Sequence, residues 1–218
     1  MHFDILVEDQ SGKIALDILL PKIIKSPHSY TIISYKGIGK IPTNLKASSD
    51  PSKRILLTQL PALLRGYGKT YASYPKNYPA AVIIVCDLDD KSKKDFLKQL
   101  TDILESCSPK PTTRFCFAIE EGEAWFLGDI SAVNTAYPDA KENILNSYKN
   151  DSICGTWETL ADAIYHGGSQ KLKSLKFYEI GAEKCAWAKN ITPHMDVNNN
   201  QSPSFNFFKN SLINLIES

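Results

Sequence analysis

The sequence predicts an α/β protein: a parallel sheet flanked by helices, followed by a mostly helical C-terminal extension. Short, nearly continuous apolar runs of strand length recur along the first half, as expected of strands buried on both faces. Segments of helical period separate these runs, and a parallel neighbour is reached only by such a long crossover. After residue 119 the alternation stops and helical patterns alone remain, dividing the chain into an α/β core over 1–119 and a helical extension over 120–218 packed on it.

Taken in order, residues 3–7 (FDILV) form the first strand and run into the polar Glu8-Asp9-Gln10-Ser11-Gly12. Ser11 is placed to cap a helix whose Ile14, Ile18 and Leu19 share a face, and Pro21 should bend or end it. Residues 31–34 (TIIS) read as a second strand stopped by Gly37 and Gly39. Leu56, Leu60, Leu63, Leu64 and Tyr67 recur at helical spacing, with Pro61 able to split that helix in two. Residues 80–86 (AAVIIVC) are the clearest buried strand, followed at once by Asp87-Leu88-Asp89-Asp90. An amphipathic helix beginning near Lys91 carries Phe96, Leu97, Leu100, Ile103, Leu104 and Cys107 and ends before Pro109. Residues 115–119 (FCFAI) give a fourth strand. In the extension, residues 120–128 form a helical turn, residues 156–165 a helix with Trp157, Leu160, Ala161 and Ile164 on one side, and the last helix, capped by Ser204, presents Phe205, Phe208, Leu212 and Leu215. Residues 198–201 (NNNQ) are a polar loop between them.

Composition narrows the function classes. A chain of 218 residues that is 43% hydrophobic can bury a full core. Its net charge of +1 provides no global field to hold nucleic acid or an anionic membrane, so any nucleic-acid contact is local or lent by a partner. Five scattered cysteines (Cys86, Cys107, Cys116, Cys154, Cys185) point to a reducing compartment. With no signal-like N-terminal segment and no apolar run of about 20 residues, the expectation is a soluble, cytoplasmic protein.

The chemistry-bearing residues are acids at strand ends. In open α/β sheets, ligands bind where the C-terminal ends of parallel strands converge. Glu8 follows the first strand, and Asp87 with Asp89 the third, so the three carboxylates meet if those strands are neighbours. Extended alternation puts Asp87 and Asp89 on one side with Leu88 opposite. Carboxylates at close range repel unless a cation neutralises them, and hard oxygen ligands favour Mg²⁺ or Mn²⁺. Asp90 and Glu123 are further candidate ligands, and Glu120, Glu121 and Asp129 bracket the same stretch. The alternative is structural: one of Asp87, Asp89 or Asp90 caps the following helix, Glu8 lies in a solvated loop, and Glu123 and Asp129 belong to a short helix with a buried Trp125. Lys13, Lys36 and Lys40 lie where phosphates could meet them, or are simply solvated.

Other sites find little support. Gly66-Tyr67-Gly68-Lys69-Thr70 imitates the end of a phosphate-binding loop, but Leu63 holds the place of its first glycine and a helix precedes it, so a turn with a lysine is expected. The four histidines and the cysteines show no zinc spacing, and there is no serine-hydrolase elbow.

Leu6-Val7-Glu8, followed by a strand ending in Asp87-Leu88-Asp89, resembles the Toprim pattern of one glutamate and an Asp-x-Asp pair. More narrowly, residues 123–129 (EAWFLGD) with 202–205 (SPSF) are similar to small stand-alone Toprim-like bacterial proteins related to the overcoming-lysogenization-defect nucleases, often encoded beside AAA-type ATPases in phage-defence operons. The resemblance spans most of the chain. Asp9 departs from it, standing where Toprim proteins usually have glycine. The resemblance implies a Toprim-like fold and a metal-dependent nuclease: Glu8, Asp87 and Asp89 would be catalytic and, with Asp90 and Glu123, would hold Mg²⁺ or Mn²⁺, and DNA or RNA would be cut in an ATPase-linked antiviral system. The competing readings are a non-catalytic module docking on an AAA-type ATPase, and a phosphatase-like hydrolase using Asp-x-Asp. A homo-oligomer is compatible with all three.

Overall fold

A computed structural model of the chain describes residues 1–45, 50–153 and 155–218; Cys154 lies outside the described residues. Four strands, β1 (His2–Val7), β2 (Ser29–Ser34), β3 (Ala80–Asp87) and β4 (Thr113–Ala118), form one all-parallel sheet in the order β2-β1-β3-β4. The alternating buried side chains of these strands feed two cores. Phe3, Ile5, Val7, Ile83 and Val85 share one with helix α1 (Gln10–Ile23) and with Trp125, Trp187, Phe205 and Phe208 of the extension; Leu6, Val82, Ile84 and Cys86 pack on α2 (Leu56–Ala72) and α3 (Lys93–Glu105) across the other face. The extension adds α4 (Glu123–Leu127), α5 (Ile130–Ala136), α6 (Glu142–Ser147), α7 (Thr156–Ile164), α8 (Gly168–Lys173), α9 (Phe177–Ile191) and α10 (Pro203–Glu217). It completes the same core as the sheet instead of standing beside it. No described helix is long and apolar enough to cross a membrane.

The α/β fold with a helical C-terminal region is as expected; several local expectations are corrected. Asp9, not Ser11, caps α1, its Oδ1 accepting from the Gly12 N–H at 2.8 Å. Gly12 also lets α1 begin against β1, because a Cβ there would stand 2.6 Å from Val7 Cγ2. The residue that departs from the Toprim pattern is thus the one that starts this helix. Pro21 does not end α1, which runs on to Ile23, and Pro61 does not split α2, which loses one ladder bond close to its start and stays continuous within a buried face. Ser92 caps α3, accepting from the Asp95 N–H at 3.4 Å, so none of Asp87, Asp89 and Asp90 serves as that cap. Ser202 caps α10 in place of Ser204, whose hydroxyl instead accepts from Trp125 Nε1 at 3.1 Å. The segment expected to be a turn around Gly68 is the interior of α2; Gly68 is small because a Cβ would lie 1.9 Å from the Pro109 carbonyl oxygen.

Candidate functional site

The pairing register builds the site. Val7 stands opposite Val85 in the β1–β3 ladder, so the residues just beyond, Glu8 and Asp87, emerge together at the C-terminal edge of the two central strands. Glu8 Oε2 accepts from the Asp87 N–H at 3.1 Å, which ties one acid to the strand carrying the other. Beside them, β4 turns through Glu120 into α4, whose Glu123 is buried under the sheet edge. Glu8, Asp87 and Glu123 line one cavity of about 50 Å³ together with Gly12, Phe126 and Lys184. That space admits a few waters and is too small for a nucleotide.

Electrostatics sets the character of this cavity. Burial raises the Glu8 pKa to about 7; the Asp87 N–H opposes that shift, and the charges of Asp89 and Asp9 add to it. Burial, then the charges of Glu8 and Glu123, pushes Asp87 well above the usual carboxylate range. Among the described residues, no hydrogen-bond donor reaches the Asp87 carboxylate. Glu121 is likewise raised to about 7 by burial, against the pull of Lys184. Among the described residues, the one ammonium lining the cavity is Lys184 of α9, 3.4 Å from Glu123 and 3.6 Å from Glu121. Burial alone would depress the Lys184 pKa, but Glu123, Glu121 and Asp87 outweigh it and hold the group charged. Among the described residues the lining thus holds four carboxylates, Glu8, Asp9, Asp87 and Glu123, against the Lys184 ammonium, which Glu121 also meets, and Lys91 acts on Glu8 from outside the lining.

Two backbone outliers lie at the same edge. Asp89 (φ 50°) and Glu120 (φ 61°) both occupy the left-handed region that side chains disfavour, and the Asp89 N–H donates to the Glu120 carbonyl at 2.9 Å. They turn the chain sharply off the ends of β3 and β4. This corrects the expected geometry of the Asp-x-Asp pair. The chain leaves extended conformation after Asp87, so alternation does not bring Asp89 to its side; Asp89 pairs with Lys91 at the rim, near enough for its charge to act on Glu8 but outside the cavity lining. Asp90 is exposed and also outside it. Glu120 caps α7, accepting from the Thr156 N–H at 2.9 Å, and Asp129 caps α5 and accepts from the Asp196 N–H at 2.7 Å, so neither enlarges the site. Lys13 pairs with Asp17.

The donor chemistry and the unmet charge fit a hard divalent cation at Glu8, Asp87 and Glu123. Among the described residues, no three His, Cys, Asp or Glu side chains already stand grouped as a ready-made cation site. Nothing in residues 177–191 distinguishes Lys184 from Lys189, the other lysine of α9, until the fold brings Lys184 to Glu123. In the sequence Glu121 stands out only as part of an acidic run.

No curated protein matches this chain, and no solved structure does. A family known as a domain of unknown function, DUF4276, matches residues 7–213. That span begins at the end of β1 and closes within α10, taking in the whole site, and the chain therefore belongs to the DUF4276 family.

Proposed function

We propose that this protein is a metal-dependent nuclease, hydrolysing phosphodiester bonds with Mg²⁺ or Mn²⁺ at the Glu8–Asp87–Glu123 cavity, as the cytoplasmic effector of an ATPase-linked antiviral system. The observation that carries the reading is the meeting of Glu8 and Asp87 at the ends of adjacent parallel strands, with Glu123 in the same cavity and too little positive charge to neutralise them. A bound divalent cation would supply charge for the diester oxygens and lower the pKa of an attacking water. Glu8, in the cavity lining beside Asp87, is placed to take that water's proton as general base. Among the described residues no donor competes for the Asp87 carboxylate, and Glu123, beside Lys184, faces the same cavity as a second oxygen ligand. Lys184 also keeps Glu121 and Glu123 from being pushed apart. The similarity to Toprim-like proteins noted in the sequence points the same way.

The ATPase association is supported by charge. A net +1 and only three arginines (Arg54, Arg65, Arg114) give a weak electrostatic footprint for an autonomous nuclease. A second reading, a non-catalytic module docking on such an ATPase, is favoured by a groove of about 330 Å³ along edge strand β4, lined by Leu97, Leu104, Phe115 and the half-exposed Phe207. One experiment separates the two. The purified chain, alone and with the product of its neighbouring gene, is incubated with mixed DNA and RNA with and without Mg²⁺ or Mn²⁺. Metal-dependent cleavage that Glu8→Gln and Asp87→Asn abolish while folding is retained is the expected result. Co-elution with the ATPase and no cleavage under any condition would favour the docking module.

A further inference from the structure

An exposed aromatic and basic ridge runs along α8 and the start of α9, the helix whose Lys184 lines the acidic cavity. Phe177 is 91% exposed and Tyr178 67%, two adjacent rings that together present an apolar surface to water. Charge accompanies them: residues 163–178 hold Lys171, Lys173 and Lys176, all exposed, and no carboxylate. The lysines already stand over rings, Lys176 Nζ at 5.8 Å from the Tyr178 centroid and Lys173 Nζ at 5.6 Å from that of Trp157. Trp157 links the ridge to the cavity. Its ring also has Lys184 Nζ at 5.6 Å, and its backbone N–H donates to Glu121 at 3.3 Å. Phe177 and Lys184 lie seven residues apart on α9, hence on one face and about 10 Å apart along the axis. Between them Gly181 presents no side chain, and a Cβ there would meet nothing within 4 Å. The neighbouring acids are engaged: Glu158 pairs with Lys173, Glu179 accepts from the Lys176 N–H, and Glu183 accepts from Trp187 Nε1.

We propose that this ridge binds single-stranded nucleic acid, its bases stacking on Phe177, Tyr178 and Trp157 and its phosphates meeting Lys173 and Lys176, and that it delivers a strand to the acidic cavity. A duplex keeps its bases hidden from such rings, whereas an unpaired strand offers a π-face at every base. The spacing from Phe177 to Lys184 accommodates about three stacked nucleotides at roughly 3.4 Å each. The cavity itself repels phosphate until its carboxylates are neutralised, so affinity has to come from outside it, and the ridge provides both parts of that affinity. The inference deepens the nuclease reading by naming its substrate class, and relies on that reading only for what happens after binding.

The test is therefore made without chemistry. Fluorescence anisotropy in EDTA compares a labelled single-stranded oligonucleotide with its duplex, for the full chain and for Phe177→Ala/Tyr178→Ala, with Phe207→Ala as a control for an exposed aromatic elsewhere. The expected result is a preference for the single strand, weakened about tenfold or more by the double variant and unchanged by Phe207→Ala. Lys173→Gln/Lys176→Gln should lower the slope of log affinity against log salt by about 1. No single-strand binding, or binding equal in the wild type and the Phe177/Tyr178 variant, overturns the proposal. So does finding that the double variant instead abolishes self-association or binding to anionic phosphatidylglycerol vesicles while oligonucleotide affinity is unmoved. Binding in EDTA without metal-dependent cleavage would leave the ridge standing and remove the nuclease reading; cleavage without ridge-dependent binding would do the reverse.

Discussion

Replacing Glu8 by glutamine should stabilise the metal-free protein, and only above a defined pH. The amide keeps an acceptor for the Asp87 N–H and removes the charge that burial and the neighbouring acids oppose. Glu8 has a folded pKa of about 7 against an ordinary value of 4.5, so the native state holds a proton that the unfolded chain gives up. Stability conferred by that protonated state is present below pH 4.5 and lost as pH rises towards 7. At about 1.36 kcal/mol per pKa unit, the wild type loses about 3 kcal/mol by pH 8 and under about 1 kcal/mol at pH 5, while a glutamine loses nothing. Glu121 titrates in the same window but does so in both proteins and cancels from the difference. For a chain of this size the gain corresponds to a melting temperature higher by about 6–12 °C at pH 8 and by at most about 3 °C at pH 5. Thermal unfolding followed by circular dichroism in EDTA measures it. Equal melting temperatures at pH 8, or a shift independent of pH, would refute the burial of an uncompensated Glu8 charge.

Lys184→Met has the opposite sign. It strands Glu121 and Glu123 without a cation and should cost about 3 kcal/mol in urea unfolding at pH 8, with a smaller cost at pH 5, where Glu121 is protonated; an unchanged or raised midpoint at pH 8 would contradict the pairing. Gly68→Ala should destabilise by about 2 kcal/mol through the clash with Pro109, with no bearing on nucleotide binding; ATP affinity in the wild type that the variant loses would reinstate the phosphate-loop reading.

Most of the sheet was legible because its central strands are buried and read as apolar runs, residues 80–86 above all, while edge strand β2 keeps a short apolar centre at Ile32 and Ile33. Placing Glu8 beside Asp87 required only that strands one and three be neighbours, and they are. Strand-end geometry was harder to read. The Asp-x-Asp spacing suggested alternation, but the left-handed backbone at Asp89 depends on a hydrogen bond to Glu120, distant in sequence and joined to it only by the β3–β4 pairing. Helix caps slipped by two residues at both Ser11 and Ser204 because several cap-competent residues stand in a row, and tertiary bonds such as Trp125 to Ser204 decide which one is used elsewhere. Proline as a helix breaker failed at Pro61, where the buried leucines of α2 outweigh one missing bond. The charge balance of the cavity could not be read at all, since it depends on a lysine that reaches Glu123 from 61 positions away.

The most direct test of the central claim is a Mn²⁺ titration of the isolated protein at neutral pH, followed by the paramagnetic resonance of the free aqueous ion. If Glu8, Asp87 and Glu123 form a divalent-cation site, the wild type depletes the free-ion signal, and Glu8→Gln and Asp87→Asn, each shown to be folded, leave it close to that of buffer. Equal depletion by all three proteins, or none by the wild type at millimolar Mn²⁺, would contradict it.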